Sequence, residues 1–173
     1  MFSGKTEALL KRLAEARARS VPLAAFKHAR DDRYAGQELV THSGLRTGAM
    51  AVASAAEILG LAGAARLVVI DEAQFFGIDL VGVCQKLAQS GRNLVVAGLD
   101  LDSWGQPFGP VPYIEQIADE VTRTRSTCAL CGDVADHTQR IAPIDGLCMI
   151  GGPEAYQARC AKCFVAPPVE LRR

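Results

Sequence analysis

The stretch "RLVVIDEAQFF" (66–76) decides the fold. Leu67 to Ile70 is an unbroken apolar run, which suits a strand buried on both faces of a parallel sheet. The run ends in two acids, Asp71 and Glu72. In open parallel sheets the carboxyl ends of the strands are where ligands bind. A buried strand that delivers carboxylates to that end points to a site.

Two neighbouring stretches have the same texture. "VPLAAFK" (21–27) and "NLVVAGLDLD" (93–102) read as further buried strands, the second again ending in acids. Helical patterns lie between them. Over 6–19, Leu9, Leu10, Leu13 and Ala16 share one face, while Lys11, Arg12, Arg17 and Arg19 are free to meet water. Residues 49–61, 78–91 and 112–121 read as three more helices, with Gly91 a natural stop. The polar, turn-rich 28–48 reads as a loop. Strands alternating with helices argue for an α/β fold, a parallel sheet flanked by helices. From Cys128 onward the apolar runs stop, and cysteine, glycine and proline dominate. The chain is therefore expected to divide into a core over 1–127 and a smaller unit over 128–173.

Composition narrows the function classes. The chain has 173 residues, of which 49% are hydrophobic, enough for a sizeable core. Lys+Arg and Asp+Glu are both 19. That balance gives no reason to expect nucleic acid or an anionic membrane as partner. Even the segment from Cys128 onward has five basic residues against five acidic ones. No apolar run is long enough to span a bilayer. Lys5, Glu7, Lys11 and Arg12 break any signal-peptide core, so a cytoplasmic protein is expected. Six cysteines in a reducing compartment point to metal or free thiols.

The opening "MFSGKTEALLK" (1–11) supplies a partner for the two acids. Gly4-Lys5-Thr6 followed by a helix is the tail of a phosphate-binding loop. Backbone N–H groups at a helix start bind phosphate oxygens, lysine reaches the β- and γ-phosphates, and the threonine hydroxyl can ligate Mg²⁺. Asp71 can hold the hydrated Mg²⁺. Glu72 can act as general base on an attacking oxygen. That oxygen belongs to water in an ATPase and to a substrate hydroxyl in a kinase. The full loop pattern wants an earlier glycine, at a position before Met1, after a central strand. The chain as written is therefore expected to lack that strand, to be poorly stable and to bind ATP weakly. A non-catalytic nucleotide-binding homologue thus stays open beside the two enzymes.

"CALC" (128–131) and "CAKC" (160–163) are two C-x-x-C knuckles. Two such pairs match a closed, structural Cys₄ zinc site formed by Cys128, Cys131, Cys160 and Cys163. It would staple the base of the loop 132–159. Cys84 falls on the apolar side of a helix and reads as packing. Cys148 is given no metal role.

Phosphate loop, "DEAQFF" (71–76) and zinc-stapled loop, in this order, resemble the type II thymidine kinases. "RDDRY" (30–34), "TH" (41–42), "GLD" (98–100), "PFG" (107–109), "TQR" (138–140) and "MIGGPEAY" (149–156) are similar to further segments of that family. The resemblance implies a P-loop NTPase-like core that transfers the γ-phosphoryl of ATP to the 5′-hydroxyl of thymidine. Ser3, Gly4, Lys5, Thr6, Arg33, Asp71 and Gln74 would serve ATP and Mg²⁺, with Glu72 as the base. Phe75, Leu99 and Phe108 would line the base pocket, with Thr138 and Arg140 beside the substrate. The main chain of Leu147, Cys148, Met149, Ile150 and Gly151 would bond thymine, and Tyr156 would pack on the nucleoside. Arg33 and Arg140 would offset phosphate charge. A homodimer or homotetramer and feedback inhibition by the thymidine triphosphate are also implied. One departure stands out. Relatives place an aromatic where Ser103 stands, so Trp104 either substitutes from one position on or faces solvent.

Overall fold

The computed structural model describes residues 3–30, 38–40, 46–143 and 151–172. Arg33, Leu147, Cys148, Met149 and Ile150 lie outside them, as do Thr41 and His42. Helix α1 (Lys5–Ala18) leads into strand β1 (Leu23–His28). A hairpin follows, β2 (Glu38–Val40) against β3 (Arg46–Gly48). Then come β4 (Met50–Val52), α2 (Ala55–Leu61), β5 (Leu67–Asp71), a 3₁₀ turn (Ala73–Phe75) and α3 (Asp79–Gln89). Strand β6 (Asn93–Val96) and α4 (Val111–Ile117) complete the first part. The remainder is built on β7 (Ser126–Thr127), β8 (Val134–Ala135), β9 (His137–Arg140) and β10 (Tyr156–Arg159), with a final 3₁₀ turn (Val169–Leu171).

Strands β4, β1, β5 and β6 form one parallel sheet in that order. Strand periodicity sends alternate side chains to opposite faces. Val68 and Ile70 join Phe26, Ile58, Leu80 and Leu87 in the larger core, under α2, α3 and α4. Val69 joins Ala25 and the α1 residues Leu9, Leu10 and Leu13 in the smaller core on the other face. Each such side chain, fully buried, contributes about 1.5–3 kcal/mol. The same alternation puts Asp71 on the α1 face, two residues beyond Val69. A cleft of about 1280 Å³ lies along β6 and is lined by residues of α1, α3 and α4, with Lys5 and Thr138 among them. Among the described residues, no helix is long and apolar enough to cross a membrane.

Several elements differ from the sequence reading. The helix expected over 49–61 is a strand, β4, followed by the shorter α2. Ser54 is extended and caps α2, its backbone N–H donating to the Glu57 carboxylate at 2.9 Å. The helix therefore starts at Ala55, and Met50 to Val52 pair with Phe26 to His28. The loop expected over 28–48 contains the β2–β3 hairpin. The strand expected over 93–102 ends at Val96. There the chain passes under α4 at Gly98, where a Cβ would sit 2.7 Å from Val111 Cγ2. Helix α4 stops at Ile117, because Ala118 is extended.

Beyond Cys128 the apolar contacts form a small cluster of their own, made by Cys128, Ala135, Ala158 and Cys160. Strands β9 and β10 pair antiparallel, with Tyr156 opposite Arg140 and Ala158 opposite Thr138.

Candidate functional site

The site begins where α1 and β5 meet. Gly4 caps α1 in the left-handed region, at φ 79°, a conformation that favours glycine. The turn carries Lys5 onto the end of β5, where its Nζ donates to Asp71 Oδ1 at 2.5 Å and to Glu72 Oε1 at 3.4 Å. Burial alone would lower the pKa of the Lys5 ammonium. Attraction to Asp71, then to Glu72, outweighs it and holds the pKa above the ordinary value. Burial raises the pKa of the Asp71 carboxyl; Lys5 opposes that shift and Glu72 adds to it. Thr6 is half-buried on the next position of α1. The oxygen donors of Thr6 and Asp71 suit a hard cation such as Mg²⁺.

Glu72 is one of two non-glycine residues with positive φ among those described, at φ 53° and ψ 41°. Such a conformation costs on the order of 1–3 kcal/mol and collects at functional sites. It turns the chain sharply off β5, so Glu72 leaves the sheet instead of continuing its alternation. Gln74 holds it there. The Gln74 Nε2 donates to Glu72 Oε2 at 2.5 Å, and its Oε1 accepts the Leu99 backbone N–H at 3.0 Å. Gln74 itself is enclosed by two glycines. A Cβ at Gly98 would lie 3.1 Å from its Oε1, and one at Gly109 would lie 2.4 Å from its carbonyl oxygen.

Phe75 and Phe108 meet edge to face, with centroids 6.0 Å apart. Phe75, Leu99 and Phe108 are each half-buried. Leu99 and Phe108 flank a small hairpin. Within it the Phe108 N–H donates to the Asp100 carbonyl at 2.9 Å, Leu101 bridges Pro107, and the Asp102 N–H donates to the Gln106 carbonyl at 2.8 Å. Trp104 does not face solvent: it is 4% exposed, and its indole N–H donates to the Pro168 carbonyl at 3.1 Å.

The structure thus brings together Lys5, Asp71, Glu72, Gln74, Phe75, Leu99 and Phe108. A second group sits on the β9–β10 hairpin. Thr138, Arg140 and Tyr156 are buried there, and Arg140 donates to the Pro143 carbonyl. Gly151 packs so closely on Ala155 and Tyr156 that a Cβ would lie 2.6 Å from Ala155 Cβ. Arg140 is therefore no solvated surface residue. The Ser3 hydroxyl lies 2.7 Å from that of Thr124.

The sequence reading missed Lys27. It is 1% exposed, pairs in register with Asp71, and by alternation shares the α1 face with it. The signal was available: a lysine closes the apolar run of β1. His28, whose ring lies 4.7 Å from that of Phe76, was also passed over.

The four sulfurs of Cys128, Cys131, Cys160 and Cys163 lie within 4.8 Å of one another. A tetrahedral site with bonds of ~2.3 Å needs sulfurs about 3.8 Å apart, so the set fits zinc. All four are free thiols, with Cys131 and Cys160 Sγ 3.5 Å apart. Desolvation works against ionisation of Cys128, but backbone N–H groups of Cys160, Cys131 and Leu130 outweigh it and bring the thiol down to about 6. Hydrogen bonds from Cys131 and Cys160 push the Cys163 thiol up to about 12. Cys128 ionises readily while the Cys131 and Cys163 thiols resist, which is the condition a dication relieves. Cys84 is buried in the large core, which pushes its thiol up to about 11, as a packing role requires.

Comparison with known proteins agrees with this geometry. The family model described as thymidine kinase matches residues 1–164. A thymidine kinase of Rhodothermus sp. is 42% identical over 167 residues, covering 96% of this chain and 78% of the relative. One of Coprothermobacter proteolyticus is 45% identical, covering 92% and 84%. One of Bacteroides thetaiotaomicron is 38% identical, covering 95% and 83%. With the family model spanning nearly the whole chain, this protein belongs to the thymidine kinase family.

Proposed function

We propose that the site transfers the γ-phosphoryl group of ATP to the 5′-hydroxyl of thymidine, giving thymidine monophosphate. The observation that carries the reading is the chain of contacts Lys5–Asp71–Glu72–Gln74–Leu99 at the carboxyl end of β5. It joins a phosphate-binding turn to a half-buried aromatic pocket through two carboxylates.

Each residue has a role in this reading. Backbone N–H groups from Gly4 onward and the Lys5 ammonium hold the phosphates. Thr6 and Asp71 would hold Mg²⁺, which neutralises phosphate charge when bound. Glu72 accepts the proton of the attacking hydroxyl, and Gln74 keeps it aimed. Phe75, Leu99 and Phe108 clasp the base. Thr138 and Tyr156 approach the nucleoside from the β9–β10 hairpin, while Arg140 braces the segment that follows β9. The main chain from Leu147 to Gly151 is assigned to the polar edge of thymine, Arg33 to phosphate charge, and Ser3 to the rim of the phosphate turn. Residues 128–173 act as a zinc-held unit that carries Thr138, Arg140, Tyr156 and the main chain from Leu147 to Gly151. Positioning and charge account for most phosphoryl-transfer catalysis, and these are what the residues offer. Assembly as a dimer or tetramer accompanies the reading and is measured by light scattering.

The test is ADP release from ATP with thymidine, with deoxycytidine and with no acceptor. Release that requires thymidine is expected. Release without acceptor would make the protein an ATPase, and no release in any arm would make it a nucleotide-binding homologue.

A further inference from the structure

The segment after the last cysteine is bound to the tip of the 99–108 hairpin. Phe164 follows Cys163 directly and stacks on His137, with centroids 4.6 Å apart. It also covers Gly105, where a Cβ would lie 3.3 Å from Phe164 Cε1. Val165 is held on β9 by both ends of the Gln139 amide, at 2.8 and 2.9 Å. Pro168 accepts the Trp104 indole N–H at 3.1 Å. Arg172 closes the strap, its Nη2 2.8 Å and its Nε 2.9 Å from Asp102 Oδ2. The other oxygen of Asp102 accepts the backbone N–H groups of Trp104 and Gln106, at 2.8 and 2.9 Å. Asp102 is 2% exposed.

The tip of the hairpin is thus tied to the Cys₄ unit, and its base carries Leu99 and Phe108. A two-residue-wide hairpin transmits a displacement of its tip to its base, because Asp102–Gln106, Leu101–Pro107 and Asp100–Phe108 form one ladder. Two N–H groups of the Arg172 guanidinium converge on the single oxygen Asp102 Oδ2, a charge-assisted contact. It fixes the tip in one place instead of merely covering it.

We propose that residues 164–172 are a brace for the nucleoside pocket, with Asp102 and Arg172 as positioning residues that set Leu99 and Phe108 through the hairpin. The proposal rests on the assignment of those two side chains to the pocket wall. It links the Cys₄ unit and β9 to the tip of the 99–108 hairpin through Trp104–Pro168 and Asp102–Arg172.

The test uses the zinc-loaded chain and the variants Arg172→Ala, Arg172→Lys, Asp102→Asn and the double variant Asp102→Asn/Arg172→Ala. Trp104 is the single tryptophan. Its emission and acrylamide quenching therefore report strap docking whether or not the enzyme turns over. Arg172→Ala is expected to raise the KM for thymidine about five- to twentyfold, with kcat and the KM for ATP within about twofold. Trp104 emission shifts to the red, and zinc content is unchanged. Arg172→Lys recovers part of the loss, and the double variant is no worse than Arg172→Ala. With an active wild type, an Arg172→Ala variant whose thymidine KM is untouched while Trp104 becomes exposed overturns the brace alone. So does an equal rise in both KM values. A wild-type chain that does not phosphorylate thymidine overturns the functional reading beneath it.

Discussion

Gln74 Oε1 accepts the backbone N–H of Leu99 at 3.0 Å. The other end of the same amide holds Glu72. One side chain, 3% exposed, therefore fixes both the acid at the end of β5 and the start of the hairpin that carries Leu99 and Phe108. Its own position is set by Gly98 and Gly109, which leave it just enough room.

Gln74→Leu keeps the size of the side chain and removes both bonds. It leaves the Leu99 N–H unpaired in a half-buried place, which costs about 1–3 kcal/mol. Thermal melting is expected to show that loss. Steady-state kinetics are expected to show at least a tenfold fall in kcat, because Glu72 is no longer aimed. A stability loss with kcat unchanged would remove Gln74 from the positioning of the base.

Glu72→Gln keeps the shape of the site and removes the proton acceptor. General bases contribute roughly 10²–10⁴ in rate, so kcat should fall by that factor. Equilibrium binding of ATP and of thymidine should change little. Retention of more than about a tenth of turnover would reassign the base.

Lys5→Met tests the charge balance around Asp71. The pKa of the Asp71 carboxyl is already raised by burial, with Lys5 opposing. A raised folded pKa means the folded state holds the proton more tightly, so stability falls as pH rises from the ordinary carboxylate range through the raised value. Without Lys5 that value climbs further. The variant should be less stable than wild type at neutral pH by about 1–3 kcal/mol, below the ~3–5 kcal/mol of a fully buried pair because Lys5 is partly exposed. The gap should close in acid, as Asp71 takes its proton. Urea unfolding across pH reads the difference, and a gap independent of pH would contradict it. Above its usual pKa the Lys5 contribution is also lost, so wild type alone should weaken at strongly alkaline pH.

Metal analysis is expected to find one zinc per chain. Cys160→Ser should lower zinc content and release the β9–β10 hairpin, since Cys160 directly follows β10. Thymidine affinity should fall more than ATP affinity, because Lys5 is held by α1 and by Asp71 and Glu72 at the end of β5, not by the cysteines. Equal losses in calorimetric titrations with each ligand would count against a role for this unit in nucleoside binding.

Local order settled a definite part of this protein. The apolar run of β5 and its terminal acids, the single apolar face of α1 and the two C-x-x-C knuckles are legible because neighbours in the chain create them. Strand alternation is enough to send Asp71 to the face where Lys5 waits. Other features depended on distant partners. Residues 50–52 fit either period, and pairing with β1 made them a strand. The run 93–102 looked uniform, but the close approach of Val111 and Gln74 at Gly98 ended the strand and freed the hairpin. Trp104 found its place through Pro168, and Asp102 through Arg172. Lys27 gained its setting from its register against Asp71. Periodicity records which face a residue occupies along its own segment. Register, close approach and long-range pairing are decided only when the segments meet, because the groups that satisfy them lie tens of residues away.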